Sequence, residues 1–269
     1  MPRLVEYGGK SGGRAANHTH SSWRWLMATA LPCADPTSMM EVTSFITNYA
    51  SARMHVRANL FDVSSAKASQ KGRAAACTAQ LQGAAPANSL VVVSTVPGHK
   101  TQFWRRELTP TAVARYDIIW LLDCDVRVSP RLFILREIEY WMHATGASIV
   151  QPSVVPAKAG GRGGRGSFTR ASLSADCAAR EHPFIEQMTP VFRRGAFIAL
   201  YHSLMSIPNE LLGSDSGIDL FWCGLAAMAF PAYPACVVIN TQSVIHTNTH
   251  TIHRFDKVRV PSSPPTCHL

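Results

Sequence analysis

Acidic side chains are scarce in this chain. Its 269 residues carry 17 Asp and Glu against 26 Lys and Arg, a net charge of +9, and only 16% of residues are charged. A basic surface of this kind suits phosphate-rich ligands or acidic polymers without choosing between them. Much of the arginine lies in loops and tails such as Gly160–Arg170. CxxC pairs are missing, and the seven cysteines (33, 77, 124, 177, 223, 236, 267) follow no regular spacing. An odd count excludes a fully paired disulfide framework, and the lack of CxxC argues against a zinc ribbon. One or two bridges would suit a secreted protein, for example between Cys177 and another loop cysteine. No run approaches the ~18–20 apolar residues that span a bilayer. Met1–Ser22 lacks the apolar core of a secretory signal. It fits an organelle-targeting segment, a disordered tail or an incomplete gene model equally. Trp25–Leu31 is too short for an anchor and reads as a first strand.

Where acids are few, their placement carries information. The segment Tyr116–Ser129 reads YDIIWLLDCDVRVS. The apolar run Ile118–Leu122 reads as a buried strand. Asp123 and Asp125 follow it and, by strand alternation, point to one side about 6–7 Å apart. Two carboxylates converging at a strand end repel each other. They become useful when a divalent cation sits between them and binds a phosphate.

The rest of the chain alternates strands and helices. Strands are expected at Trp25–Leu31, His55–Phe61, Leu90–Thr95, Ile118–Leu122, Ser148–Gln151, Cys236–Thr241 and Val244–His246. Helices are expected at Thr37–Ala50, Thr101–Arg115, Arg131–His143, Phe192–Met205 and Gly217–Met228. In Arg131–His143 the residues Leu132, Leu135, Ile138 and Trp141 form one stripe. Ser64–Asn88 reads as a loop or short irregular helix. Ala157–Arg170 reads as a flexible Gly/Arg loop. The alternation predicts an α/β three-layer sandwich with a mainly parallel central sheet. Its single domain spans 23–256, between tails at 1–22 and 257–269. Ligands of such sheets sit at the carboxyl ends of strands. Asp62 and the Asp123/Asp125 pair fall there.

The Asp-x-Asp pair admits two chemistries besides a plain turn or helix cap. It is the nucleotide-sugar and metal motif of glycosyltransferases with one Rossmann-like domain. It is also the strand-end motif of haloacid-dehalogenase-type phosphatases, with Asp123 as nucleophile. The second reading expects Thr or Val where Arg127 stands and a motif near the N-terminus, although Ser214–Asp219 resembles its later acidic motif. Asp215 and Asp219 are a second constellation. Asp219 is either a helix-cap acid or a general base for an acceptor hydroxyl. A third is His246, His250 and His253, of which His246, after the apolar Val244-Ile245, is the candidate to complete a carboxylate metal site. The Gly/Arg loop holds one aromatic, Phe168. That favours a solvated linker over a stacking surface for nucleic acid.

Several segments together resemble the domain of unknown function 707 family, found in plants, algae and some bacteria. The carrying residues are Lys100–Trp104 (KTQFW), Tyr116-Asp117, Trp120–Val126, Ile149–Ser153 (IVQPS), Ile185–Arg193 (IEQMTPVFR), Gly217-Ile218-Asp219 and Val244-Ile245-His246. Their order and spacing match from Lys100 to about His250. Cys124 stands where members usually carry an acid, and Ser216 where they carry Trp.

The resemblance implies a fold like that of nucleotide-diphospho-sugar transferases, of the Asp-x-Asp, single-Rossmann (GT-A-like) type. It implies an enzyme moving a sugar from a UDP- or GDP-linked donor to a carbohydrate or glycoconjugate acceptor with Mn²⁺ or Mg²⁺. Carried over by position, Asp123 faces the ribose or the metal, Asp125 binds the metal and His246 completes its shell. Lys100 neutralises donor phosphate, Asp219 is the base and Glu186 faces the acceptor. Asp62, from its strand-end position, joins the donor side. The resemblance also implies a secretory-pathway or Golgi setting. The rivals are the phosphatase above and a catalytically silent nucleotide- or sugar-binding protein. The sharpest geometric expectation is that Asp125 and His246, 121 residues apart, meet.

Overall fold

The computed structural model describes residues 22–63, 68–131, 133–157, 177–205, 218–247 and 267–268. Leu132, Lys158, Phe168, Asp215, His250 and His253 lie outside the described residues, as does most of the Gly/Arg loop.

Four parallel strands make one half of the sheet. They are β1 (Trp25–Leu31), β2 (Met54–Leu60), β3 (Val91–Ser94) and β4 (Ile118–Leu121), in the order β4-β1-β2-β3. The other half holds β6 (Ile149–Pro156), β7 (Ala179–Glu181), β8 (Val191–Arg193), β9 (Cys236–His246) and β10 (Cys267–His268). Antiparallel β8 joins the halves between β4 and β6. β6 and β9 run parallel, and parallel pairing dominates the register. The short β5 (Val126–Arg127) pairs with the end of β9.

Both faces of the sheet are covered, which is why β1 and β4 read as continuous apolar runs. On one face Trp25, Met27, Ile118 and Trp120 pack with α1 (Pro36–Tyr49), α2 (Ala68–Gly83) and α5 (Leu135–Thr145). On the other, Leu26, Ala28, Ile119 and Leu121 pack with α3 (Lys100–Glu107), α4 (Pro110–Val113), α6 (Arg194–Met205) and α7 (Asp219–Ala229). The result is the expected three-layer α/β architecture.

Several elements differ from expectation for local reasons. The Ser64–Asn88 region contains the 16-residue helix α2. Its Ala, Gln, Lys and Arg content favours helix despite Gly72, while only Cys77 and Leu81 of its described side chains are buried. The expected helix Thr101–Arg115 divides because Pro110 cannot continue it. Thr109 then caps α4 by accepting from the Ala112 N–H at 3.2 Å. The α5 helix starts at Leu135 rather than Arg131 and ends at Gly146 in a left-handed conformation (φ 71°). The apolar start of Phe192–Met205 is strand β8, pinned antiparallel to β4 and β6. Cys236–Thr241 and Val244–His246 form one strand, with a register shift opposite Pro152/Ser153.

Disulfides are also denser than expected. Cys33–Cys77 ties the loop after β1 to α2, and Cys223–Cys236 ties α7 to the start of β9. Cys177 is bonded as well, and Cys124 is the free cysteine among the described residues.

Candidate active site

The site forms where β4 ends. Trp120 anchors that end: it is fully buried, stacks on Phe133 at 4.8 Å and meets Phe45 edge-on at 5.3 Å. Its indole N–H donates to Thr189 Oγ1 at 3.0 Å. Beyond it, the Leu121 N–H donates to the Pro190 carbonyl and the Asp123 N–H to the Met188 carbonyl. The segment carrying Glu186 and Gln187 is thereby brought beside the two aspartates.

Asp125 and His246 meet, with His246 Nε2 3.0 Å from Asp125 Oδ2. The backbone explains the contact, because Val126 pairs with His246 across β5 and β9. Thr247 reinforces it by donating both its N–H (2.8 Å) and its hydroxyl (2.7 Å) to the Asp125 carbonyl. Asp123 turns instead to Lys100, whose Nζ lies 2.7 and 2.9 Å from the two carboxylate oxygens. Lys100 is the first residue of α3, where the helix dipole disfavours a cation. The turn before it needs Gly98 at φ 98°, and a Cβ there would strike the Gln102 side chain.

The charges are strongly coupled. Burial pushes the Asp123 carboxyl up to about 6; Lys100 opposes this and Asp125 adds to it. Burial also pushes Asp125 up, but the His246 hydrogen bond and charge outweigh it and hold Asp125 below its ordinary value. His246 is lowered by burial and raised more by Asp125, Asp123 and Glu186, ending above its ordinary value. Asp219, in the first turn of α7, is raised by burial against the N–H groups of Gln187 and Leu220 and the charge of Lys100. Glu186 is buried, 5% exposed, and its N–H donates to Gln151 Oε1 at 2.9 Å. The acids Asp123, Asp125, Glu186 and Asp219 thus outnumber the cations Lys100 and His246 within one electrostatically connected cluster.

Asp62 is placed differently. Its two oxygens accept the N–H groups of Cys33 (2.6 Å) and Ala34 (2.8 Å), so it shapes the loop after β1. Cys124 is held neutral by burial, its thiol pushed up to about 12, and it contacts Ser38 of α1. Ser38, Gln187 and Thr247 are site residues the sequence did not single out. Thr247 follows His246 directly, and Gln187 sits inside the Ile185–Arg193 block; nothing local marks Ser38.

Among the described residues no three His, Cys, Asp or Glu side chains are arranged around one common ion. The donor chemistry nonetheless fits a hard divalent cation. Asp125 and His246 offer an oxygen and a nitrogen 3.0 Å apart amid excess negative charge. Mg²⁺-like ions characteristically take one or two carboxylates and complete their shell with water and substrate phosphate.

No protein-family model matches the sequence, and no curated protein matches it. Solved structures resemble it in fold. TarS of S. aureus in complex with UDP-GlcNAc superposes with a TM-score of 0.54 at 11% identity, covering 88% of this chain and 62% of that one. The mannosyltransferase PcManGT from Pyrobaculum calidifontis, in complex with GDP-Man and Mn²⁺, gives 0.52 at 14% identity, covering 84% and 57%. GalNAc-T7 with UDP, GalNAc and Mn²⁺ gives 0.54 at 12% identity, covering 84% and 44%. The present chain spans less than two thirds of each of these. Its fold is like that of nucleotide-diphospho-sugar transferases.

Proposed function

We propose that this protein is a metal-dependent glycosyltransferase that moves a sugar from a UDP- or GDP-linked donor to a carbohydrate or glycoconjugate acceptor. One observation carries the reading. Lys100, Asp123, Asp125 and His246 converge at the carboxyl end of β4, in a fold like that of nucleotide-sugar enzymes. Asp125 and His246 would hold Mn²⁺ or Mg²⁺, with Asp123 on the metal or the ribose. The bound ion would stabilise charge developing on the leaving diphosphate.

Lys100 brings a fixed cation to the same strand end, suited to donor phosphate once it is shared with Asp123. Asp219 is the candidate base. Burial raises its carboxyl above the ordinary value, which makes it a stronger proton acceptor for an acceptor hydroxyl. Glu186 faces the acceptor side and adds negative charge beside His246. Asp62 acts on the donor side by fixing the loop after β1.

The phosphatase reading also has an observation in its favour, since it needs a lysine beside Asp123 and Lys100 is there. The fold favours the transferase. A thermal-shift screen against nucleoside diphosphate sugars, with and without Mn²⁺, separates them. Metal-dependent stabilisation that disappears in Asp125→Ala supports the transferase. A phosphoaspartate at Asp123, with no nucleotide response, would favour the phosphatase.

A further inference from the structure

α7 has an outer face with no polar side chain. Leu220, Phe221, Gly224, Ala227 and Met228 are all exposed, with Phe221 66%, Met228 74% and Leu220 49% accessible. At 100° per residue these positions span an arc of about 120°. The opposite stripe, Ile218, Trp222, Cys223 and Ala226, is buried in the core. Beyond Asp219 in its first turn, the helix is therefore apolar on both faces yet lies at the surface. Singly exposed apolar residues are ordinary; a continuous helical stripe of them marks a contact surface.

The same layer of helices carries the exposed cations Arg106, Arg115 and Arg194. The Arg194 guanidinium donates to the Ala114 carbonyl at 2.6 Å, and that of Arg115 lies over the Tyr116 ring at 5.1 Å. Arg106 is exposed, with its nearest carboxylate contact at 4.0 Å to a Glu107 that Arg57 also engages. Gly195, beside Arg194, abuts the Phe230 ring just past α7, so the Arg194 end of α6 adjoins the C-terminal end of α7. A second copy of this chain would bring the same arginines to the contact, opposite like charge.

We propose that the α7 face binds the surface of an anionic lipid bilayer, with Phe221 and Met228 entering the headgroup–acyl boundary and Arg106, Arg115 and Arg194 meeting lipid phosphates. An apolar helical stripe flanked by arginine is the arrangement that holds a helix in that plane. This surface is separate from the metal and donor residues, and its test reads no chemistry.

The test is co-sedimentation of the full chain with vesicles of phosphatidylcholine alone or with added phosphatidylserine. Binding is expected to need phosphatidylserine and to weaken with salt. Phe221→Ser with Met228→Ser is expected to weaken it about a hundredfold. Arg106→Gln with Arg115→Gln is expected to weaken it about thirtyfold. Urea midpoints of the variants report folding, and both pairs are expected to unfold like the parent. Equal binding to both vesicle types, no binding at all, or loss only in variants that have unfolded would overturn the proposal. So would a concentration-dependent dimer abolished by the Phe221/Met228 pair, which would make the face a self-contact.

Discussion

Replacing Lys100 by Met removes the cation that both oxygens of Asp123 engage at 2.7 and 2.9 Å. Leaving an ionised partner behind in a buried pair typically costs about 3–5 kcal/mol. Asp123 has an escape, because it can take up a proton. Its carboxyl lies at about 6 when folded against 3.8 in the reference state. A carboxyl raised by folding lowers stability as pH climbs through the window between those values, here 3.8 to about 6, and the loss is constant above it. Without Lys100 the window extends upward. A protonated Asp123 then costs about 1.4 kcal/mol for each pH unit above 6. The substitution should therefore destabilise by under about 0.5 kcal/mol at pH 5, by about 1.4 at pH 7 and by about 2–3 at pH 8. The contact of Lys100 with the Trp104 ring at 5.7 Å adds a pH-independent offset. Urea unfolding at the three pH values measures this, with Asp123→Asn as background. In that background the pH dependence of the Lys100→Met effect should shrink to what its weaker couplings to Asp125 and Asp219 leave. An effect equally large at pH 5 and pH 8 in the parent would refute the coupling.

Other outcomes follow from the same contacts. His246→Gln should destabilise most between about pH 4 and 6.5. The depressed Asp125 contributes above 3.8 and loses its contribution as pH falls through its folded value. The raised His246 contributes below 6.5 and loses it as pH rises through its own. A urea series across pH that gives a flat difference would contradict the ion pair. Paired Cys→Ser substitution should cost about 4 kcal/mol for Cys33/Cys77 and about 3 for Cys223/Cys236, from loop closure over separations of 44 and 13; equal urea midpoints with and without the bridges would contradict this. Thr189→Val strands the buried Trp120 indole N–H and should lower stability by about 1–3 kcal/mol, read by the same unfolding assay.

The alternating pattern and the buried run before Asp123 made the layered α/β fold legible, because a two-sided buried strand leaves a continuous apolar signature. The meeting of Asp125 with His246 was legible in the strand-end placement of both residues and in the family resemblance. Its physical cause, the two-residue β5 pairing with the tail of β9, is too short to leave a signal. Lys100 was expected near phosphate, but its direct hold on Asp123 depends on where α3 begins, which the turn at Gly98 decides. The Cys223–Cys236 bridge joins a helix to a strand and could not be read from spacing. β8 was hidden because Val191–Arg193 runs straight into α6, so strand and helix share one apolar stretch. Asp62 showed as a strand-end acid, and nothing local revealed that its oxygens serve backbone N–H groups.

Asp125 and His246 are proposed to hold a divalent cation that meets the donor diphosphate. A crystal grown with UDP or GDP and Mn²⁺, phased at the manganese edge, tests it directly. One anomalous peak is expected about 2.0–2.3 Å from an Asp125 oxygen, from His246 Nε2 and from a diphosphate oxygen, lost in Asp125→Asn. Nucleotide bound with its phosphates away from the end of β4, or manganese that leaves the Asp125–His246 contact untouched, would contradict it.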